Sequence, residues 1–130
     1  MGDLAVGDCG VCIGGYDGCD ELDEDTYYQR YVTIKRNCKC FECGETITAG
    51  TKHQQCGGTY EGVLKNWRFC LICAEIADAF CCDGRMFGTL WESVEEDLLP
   101  RLTTGCFTKL KSTAAKQRLM DRWHEWKFAP

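Results

Sequence analysis

A small α+β domain held together by metal-bound cysteines is the fold class this chain predicts, and three observations predict it. The chain has 130 residues and 12 cysteines, a density at which a disulfide scaffold or a metal protein becomes the default. Cysteine pairs in C-x-x-C spacing recur at Cys9/Cys12, Cys40/Cys43 and Cys70/Cys73. Between the second and third pairs lie short β-type runs, and the third pair opens a segment of helical periodicity. The length suits one modest core rather than two. Residues 1–130 therefore read as a single domain in three parts: an acidic cysteine-containing head (1–25), a metal core with helices (26–99) and a basic amphipathic C-terminal helix (100–130).

Compartment decides between metal and disulfides. "MGDLAVGDCGVCIGG" has neither the basic flank nor the apolar run of a signal peptide, and no stretch approaches the roughly 20 apolar residues of a membrane span. The expectation is a cytoplasmic protein whose thiols stay reduced, so that cysteine pairs point to metal rather than to a disulfide framework. The net charge of −5 is unevenly spread. The first 25 residues carry eight carboxylates and no Lys or Arg, whereas residues 101–130 carry seven cations against Asp121 and Glu125.

In chain order, the head is rich in Gly and Asp and reads as irregular, with Cys9, Cys12 and Cys19 as its anchors. "TYYQRYVTIKR" (26–36) is dense in aromatic and β-branched residues and predicts a strand. "TITAGTKHQQCGGTYEGVLKNWRF" predicts a hairpin or meander with turn signals at Ala49-Gly50, Gly57-Gly58 and Lys65-Asn66. Residues 71–82 predict a helix, with Ile72, Ile76, Ala79 and Phe80 at helical spacing and Asp83-Gly84 as its stop. Thr89 and Glu92 form a capping-box pattern for a further helix burying Leu90, Trp91, Val94, Leu98 and Leu99, which Pro100 discourages from continuing. Residues 110–127 gather Ser112, Ala115, Leu119, Trp123 and Trp126 on one stripe with basic residues beside it, an amphipathic helix packing on the domain.

A C-x-x-C turn sets two thiolates on one side of a tight loop, and Gly44 lets the chain turn sharply behind Cys43. Cys70 and Cys73 start a helix, where free backbone donors and the helix dipole favour thiolates. Knuckle, hairpin, then a helix carrying the last two ligands is the order of a treble-clef zinc finger. Cys40, Cys43, Cys70 and Cys73 are therefore predicted to close a structural Zn2+ site. The remaining cysteines suggest a second ion. Cys81 and Cys82 lie about 16 Å along the helix from Cys70 at 1.5 Å per residue, and Cys38 precedes the knuckle, so none shares the first ion easily. Cys9, Cys12, Cys38 and one of Cys81 or Cys82 are expected to hold it, with Cys19 able to replace a member. Cys56 and Cys106 read as small buried hydrophobes.

The pattern "CFECGETITAG…FCLICAEIADAFCCDGRMFGTLWE" resembles a group of small cysteine-rich proteins carried by bacteriophages and prophages. The resemblance covers residues 38 to 96, about half of the chain. It implies a treble-clef-like zinc protein of the bacterial host cytoplasm, without an assigned activity. The group often has His where this chain has Cys38, which implies a ligand role for that residue. Cys56, Cys106 and the basic C-terminal helix depart from the group.

Catalytic chemistry finds no support. The zinc-deaminase signature needs H-x-E and P-C-x-x-C, but His53 is followed by Gln54 and Gln55, and Lys39 precedes Cys40. Metal-dependent histidine nucleases need several clustered His or Asn, whereas the two histidines, His53 and His124, lie in distant elements. The expectation is a non-enzymatic protein–protein interaction module, with a host protein or defence complex as target. The alternative is a nucleic-acid binder using Lys111, Lys116, Arg118, Arg122 and Lys127 with Trp123 and Trp126. The acidic balance of the whole chain weighs against it.

Overall fold

The computed structural model describes residues 4–13, 26–81 and 87–128. Strand β1 (Tyr28–Val32) is followed by two short strands, β2 (Cys38–Lys39) and β3 (Thr46–Ile47), that pair antiparallel across the Cys40–Glu45 turn. Strands β4 (His53–Tyr60) and β5 (Val63–Phe69) form a long hairpin, and β1 pairs with β4 to give an antiparallel sheet in the order β1–β4–β5. Helix α1 (Leu71–Phe80) follows directly.

The hairpin turns at Glu61-Gly62, where both residues have positive φ (50° and 81°). Such two-residue turns match the right-handed twist of the flanking strands. The expected turn at Gly57-Gly58 instead lies inside β4. A Cβ on Gly57 would sit 2.6 Å from the Tyr28 hydroxyl and from the Lys65 carbonyl oxygen, so glycine is required there by close approach rather than by a turn.

Helix α2 (Leu90–Ser93) runs into a π-helical turn (Val94–Leu98) and a 3-10 turn (Leu99–Arg101) that places Pro100 where its missing N–H costs nothing. The expected Thr89 cap does not form. Glu42, inside the Cys40–Cys43 turn, takes the Leu90 amide instead at 3.1 Å. Leu90, Val94, Leu98 and Leu99 are buried as expected, and Trp91 is half-buried.

A short helix α3 (Thr104–Phe107) leads to α4 (Thr113–Lys127), capped by Ser112 Oγ accepting from the Ala115 amide at 3.1 Å. The Glu75 carboxylate on α1 accepts from the amides of Lys111 and Ser112 at 2.6 and 3.0 Å, fixing the approach to α4. Burial alone would raise the Glu75 pKa, but the bonds from Ser112 and Lys111 outweigh it and hold the carboxyl below its ordinary range. Ala115, Leu119 and Trp123 are buried against the core, which also contains Phe69, Ile76, Phe80 and Leu98.

The described part of the head, residues 4–13, docks on this body. Val11 and Ile13 are buried, the Ile13 amide donates to the Phe80 carbonyl, and Ala5 pairs parallel with Thr103. Its covalent anchor is a disulfide between Cys9 and Cys106, whose Cα atoms are 4.7 Å apart across 97 positions of sequence. None of the described helices is long and apolar enough to cross a membrane.

Candidate metal centre

The first two ligands sit on the turn between β2 and β3. The Cys40 amide donates to the Glu45 carbonyl and the Gly44 amide to the Cys40 carbonyl, both at 2.9 Å, and Gly44 has φ +75°. Glycine suits that left-handed position because it carries no Cβ. The turn is tied down from β5, whose Arg68 carbonyl accepts from the Phe41 amide at 2.8 Å. The Phe41 ring meets Trp67 and Phe69 edge-on.

Cys70 is the N-cap of α1, and its sulfur accepts from the Cys73 amide at 3.5 Å. The third ligand therefore occupies the place where a helix start ordinarily recruits a side-chain acceptor. Cys73 lies one turn further in, fully buried.

The Sγ atoms of Cys40, Cys43, Cys70 and Cys73 lie within 4.8 Å of one another, with Cys43 and Cys70 at 3.9 Å. Four sulfurs about 2.3 Å from a tetrahedral ion stand roughly 3.8 Å apart. This group could therefore hold a metal ion with little rearrangement. The protonation behaviour of the thiols agrees. Hydrogen bonds from Cys70 and Cys73 hold the Cys40 thiol far below its usual pKa. In return the Cys40 bond pushes Cys70 up to about 12 and, with the Cys70 bond, raises Cys73 further. One negative charge placed on Cys40 thus opposes ionisation of its neighbours, a conflict that a divalent cation among the sulfurs removes.

The surrounding groups offset sulfur charge as well. The Trp91 indole N–H donates to Cys73 Sγ at 3.3 Å, and the Arg122 guanidinium lies 4.7 Å from the centre of the Trp91 ring. Arg118 pairs with Glu45 at 2.9 Å and also faces the Cys43 sulfur. Burial disfavours the Arg118 charge, but Glu45 and Cys43 together raise its pKa. Helices α2 and α4 are thus drawn onto the centre by polar contacts that sequence spacing did not show. The one available signal was Trp91 on a buried stripe, since a buried indole N–H needs an acceptor.

The second site expected from Cys9, Cys12, Cys38 and Cys81 or Cys82 does not assemble. Cys9 is bonded to Cys106 and Cys12 is disulfide-bonded as well, so neither offers a thiolate. Cys38 lies in β2 opposite Ile47, and Cys81 ends α1. Cys19 and Cys82 lie outside the described residues. Among the described residues no second group of metal-ligating side chains gathers. Cys56 is fully buried, as expected of a small hydrophobe, whereas Cys106 is a disulfide partner.

The seven residues singled out on the C-terminal helix divide by direction. Trp123 is buried, Trp126 packs against the core, Arg118 pairs with Glu45, and Arg122 lies over the Trp91 ring. Lys111, Lys116 and Lys127 are exposed. The chain matches no protein-family model, no curated protein and no solved structure.

Proposed function

We propose that the protein is a non-enzymatic interaction module whose fold is closed by one structural zinc ion in a treble-clef-like frame. The order of parts supports the frame: a turn between β2 and β3 bearing Cys40 and Cys43, the β4–β5 hairpin, and α1 bearing Cys70 and Cys73 at its start. Four soft thiolates in near-tetrahedral spacing suit zinc. The observation that carries the non-catalytic reading is the closed donor set. Four cysteine sulfurs occupy all the positions of a tetrahedron, leaving none for a substrate or an activated water.

Cobalt substitution tests this. A Co2+-loaded protein is expected to show the visible spectrum of a tetrahedral four-thiolate centre, unchanged by added azide or cyanide. A spectral shift on adding either anion would reveal an open position and reverse the reading.

For the partner, a protein is favoured by apolar side chains at the tip of the hairpin, where Val63 and Leu64 are 58% and 67% exposed. The resemblance to phage-borne cysteine-rich proteins supports a host protein or defence complex as that partner. Capture of one host protein by the wild type and its loss in Val63→Ser/Leu64→Ser is the expected result. Equal capture by the variant would remove the hairpin tip from the interface.

A further inference from the structure

The positive charge of this acidic chain gathers in two segments, residues 101–130 and the sheet-bearing residues 26–69. Residues 26–69 carry seven Lys and Arg against three Glu. Two of those glutamates are engaged elsewhere, Glu42 by the Leu90 amide and Glu45 by Arg118. Arg30 on β1, Gln55 on β4 and Arg68 on β5 are directly opposite one another in register and share one face of the sheet. On that face Arg30 donates to Gln55 Oε1 at 2.9 Å and lies over the Tyr28 ring.

Arg68 is held from beneath. Its Nη1 donates to Nε2 of the fully buried His53 at 2.7 Å, and His53 Nδ1 lies 3.3 Å from the Thr51 carbonyl. Because a guanidinium only donates, Nε2 must accept, and the proton sits on Nδ1 facing Thr51. The imidazole is thus a neutral prop that orients the guanidinium while leaving its charge uncompensated. Beside it the chain between β1 and β2 encloses a concavity of about 500 Å³ lined by Ile34, Lys35, Arg36, Asn37, Cys38 and Arg68. Among the described residues, none of Arg30, Lys35, Arg36 and Arg68 is paired with a carboxylate.

We propose that this face of the sheet, with the concavity lined by Lys35, Arg36 and Arg68 at its edge, binds the phosphodiester backbone of a nucleic acid. Three cations, two from the loop between β1 and β2 and one from β5, converge on one volume. That arrangement suits a tetrahedral phosphate with acceptor oxygens in several directions, whereas a planar carboxylate is satisfied by one bidentate arginine. The sheet-edge cations remain available, while on α4 Arg118 pairs with Glu45 and Arg122 lies over the Trp91 ring. Exposed Glu92 on α2 and Glu95, Glu96 and Asp97 on the π-helical turn after it repel a polyanion from that part of the surface.

The test uses the full, metal-loaded chain and a short fluorescent oligonucleotide, followed by anisotropy from about 50 to 200 mM salt. Single-stranded RNA, single-stranded DNA and duplex arms identify the source of the backbone. The wild type is expected to bind at least one of them, with affinity falling as salt rises. Lys35→Glu/Arg36→Glu, on an exposed loop, is expected to lose about tenfold or more and to flatten the salt slope by about one to two. Lys116→Glu/Lys127→Glu on α4 should stay within about twofold under the same counterion-release argument. Polyglutamate should not compete. Absence of wild-type binding at the lowest salt, an equal loss in the α4 variant, or competition by polyglutamate each overturns the assignment, the last in favour of an acidic protein.

Discussion

The indole nitrogen of Trp91 donates a hydrogen bond to the sulfur of Cys73 over 3.3 Å, joining the start of α2 to the buried side of the four-cysteine group. Groups that donate to a ligand sulfur lower its effective charge and fix its position. Their loss ordinarily costs about 10- to 100-fold in metal affinity. Trp91→Phe keeps the ring under Arg122 but removes the donor. It is expected to bind zinc about tenfold more weakly in competition with a chromophoric chelator, with its far-UV circular dichroism unchanged. Unaltered affinity would reduce the contact to packing.

Cys40→Ser and Cys56→Ala should separate metal ligation from burial. Both cysteines are buried, at 2% and 0% exposure. Metal-binding energy in such sites is folding energy, so Cys40→Ser should lose its cooperative thermal transition. Cys56→Ala removes one buried sulfur from the sheet and should cost about 1 kcal/mol while retaining a full complement of metal. Similar melting curves for the two variants would contradict the distinction.

Metal binding should release protons. With Cys70 pushed up to about 12 and Cys73 also raised, both sulfurs carry protons at neutral pH before the ion arrives. Loading must displace at least these two. Apparent affinity should therefore fall by at least about two log units for each unit that pH drops below neutrality. Chelator competition at several pH values reads the slope, and a pH-independent affinity would show that the thiols were already ionised.

The Cys9–Cys106 disulfide closes a loop across 97 positions. A loop of that size can supply up to about 4.7 kcal/mol by restricting the unfolded chain. Cys9→Ala/Cys106→Ala should thus unfold at lower urea by about 2 to 5 kcal/mol. It should release residues 4–13 to proteolysis and keep the metal. Loss of metal in that variant would mean that the head supports the centre directly.

How far the architecture was readable follows from the range of the interactions that build it. The four-cysteine group was legible because C-x-x-C spacing is a local property and each pair sits on its own turn or helix start. The apolar stripe of α4 was legible for the same reason, since Ala115, Leu119 and Trp123 recur at helical period. The hairpin turn was misplaced because glycine serves both positive φ and close approach. Only the neighbouring Tyr28 ring and Lys65 carbonyl show that Gly57 does the second. The pairing of Cys9 with Cys106 is a contact across nearly the whole chain, and no local spacing encodes it. Trp91 and Arg118 looked like a core aromatic and a surface cation, and nothing in the spacing singled out Glu42. Their shared role at the centre appears once α2 and α4 fold back onto the knuckle.

The most direct test of the central claim is elemental analysis of the purified chain together with mass-spectrometric mapping of its cysteines. The account predicts one zinc ion per chain, with Cys40, Cys43, Cys70 and Cys73 reduced and protected from alkylation until a chelator is added. A metal-free chain that remains folded with those four cysteines freely alkylated or joined in disulfides would contradict it.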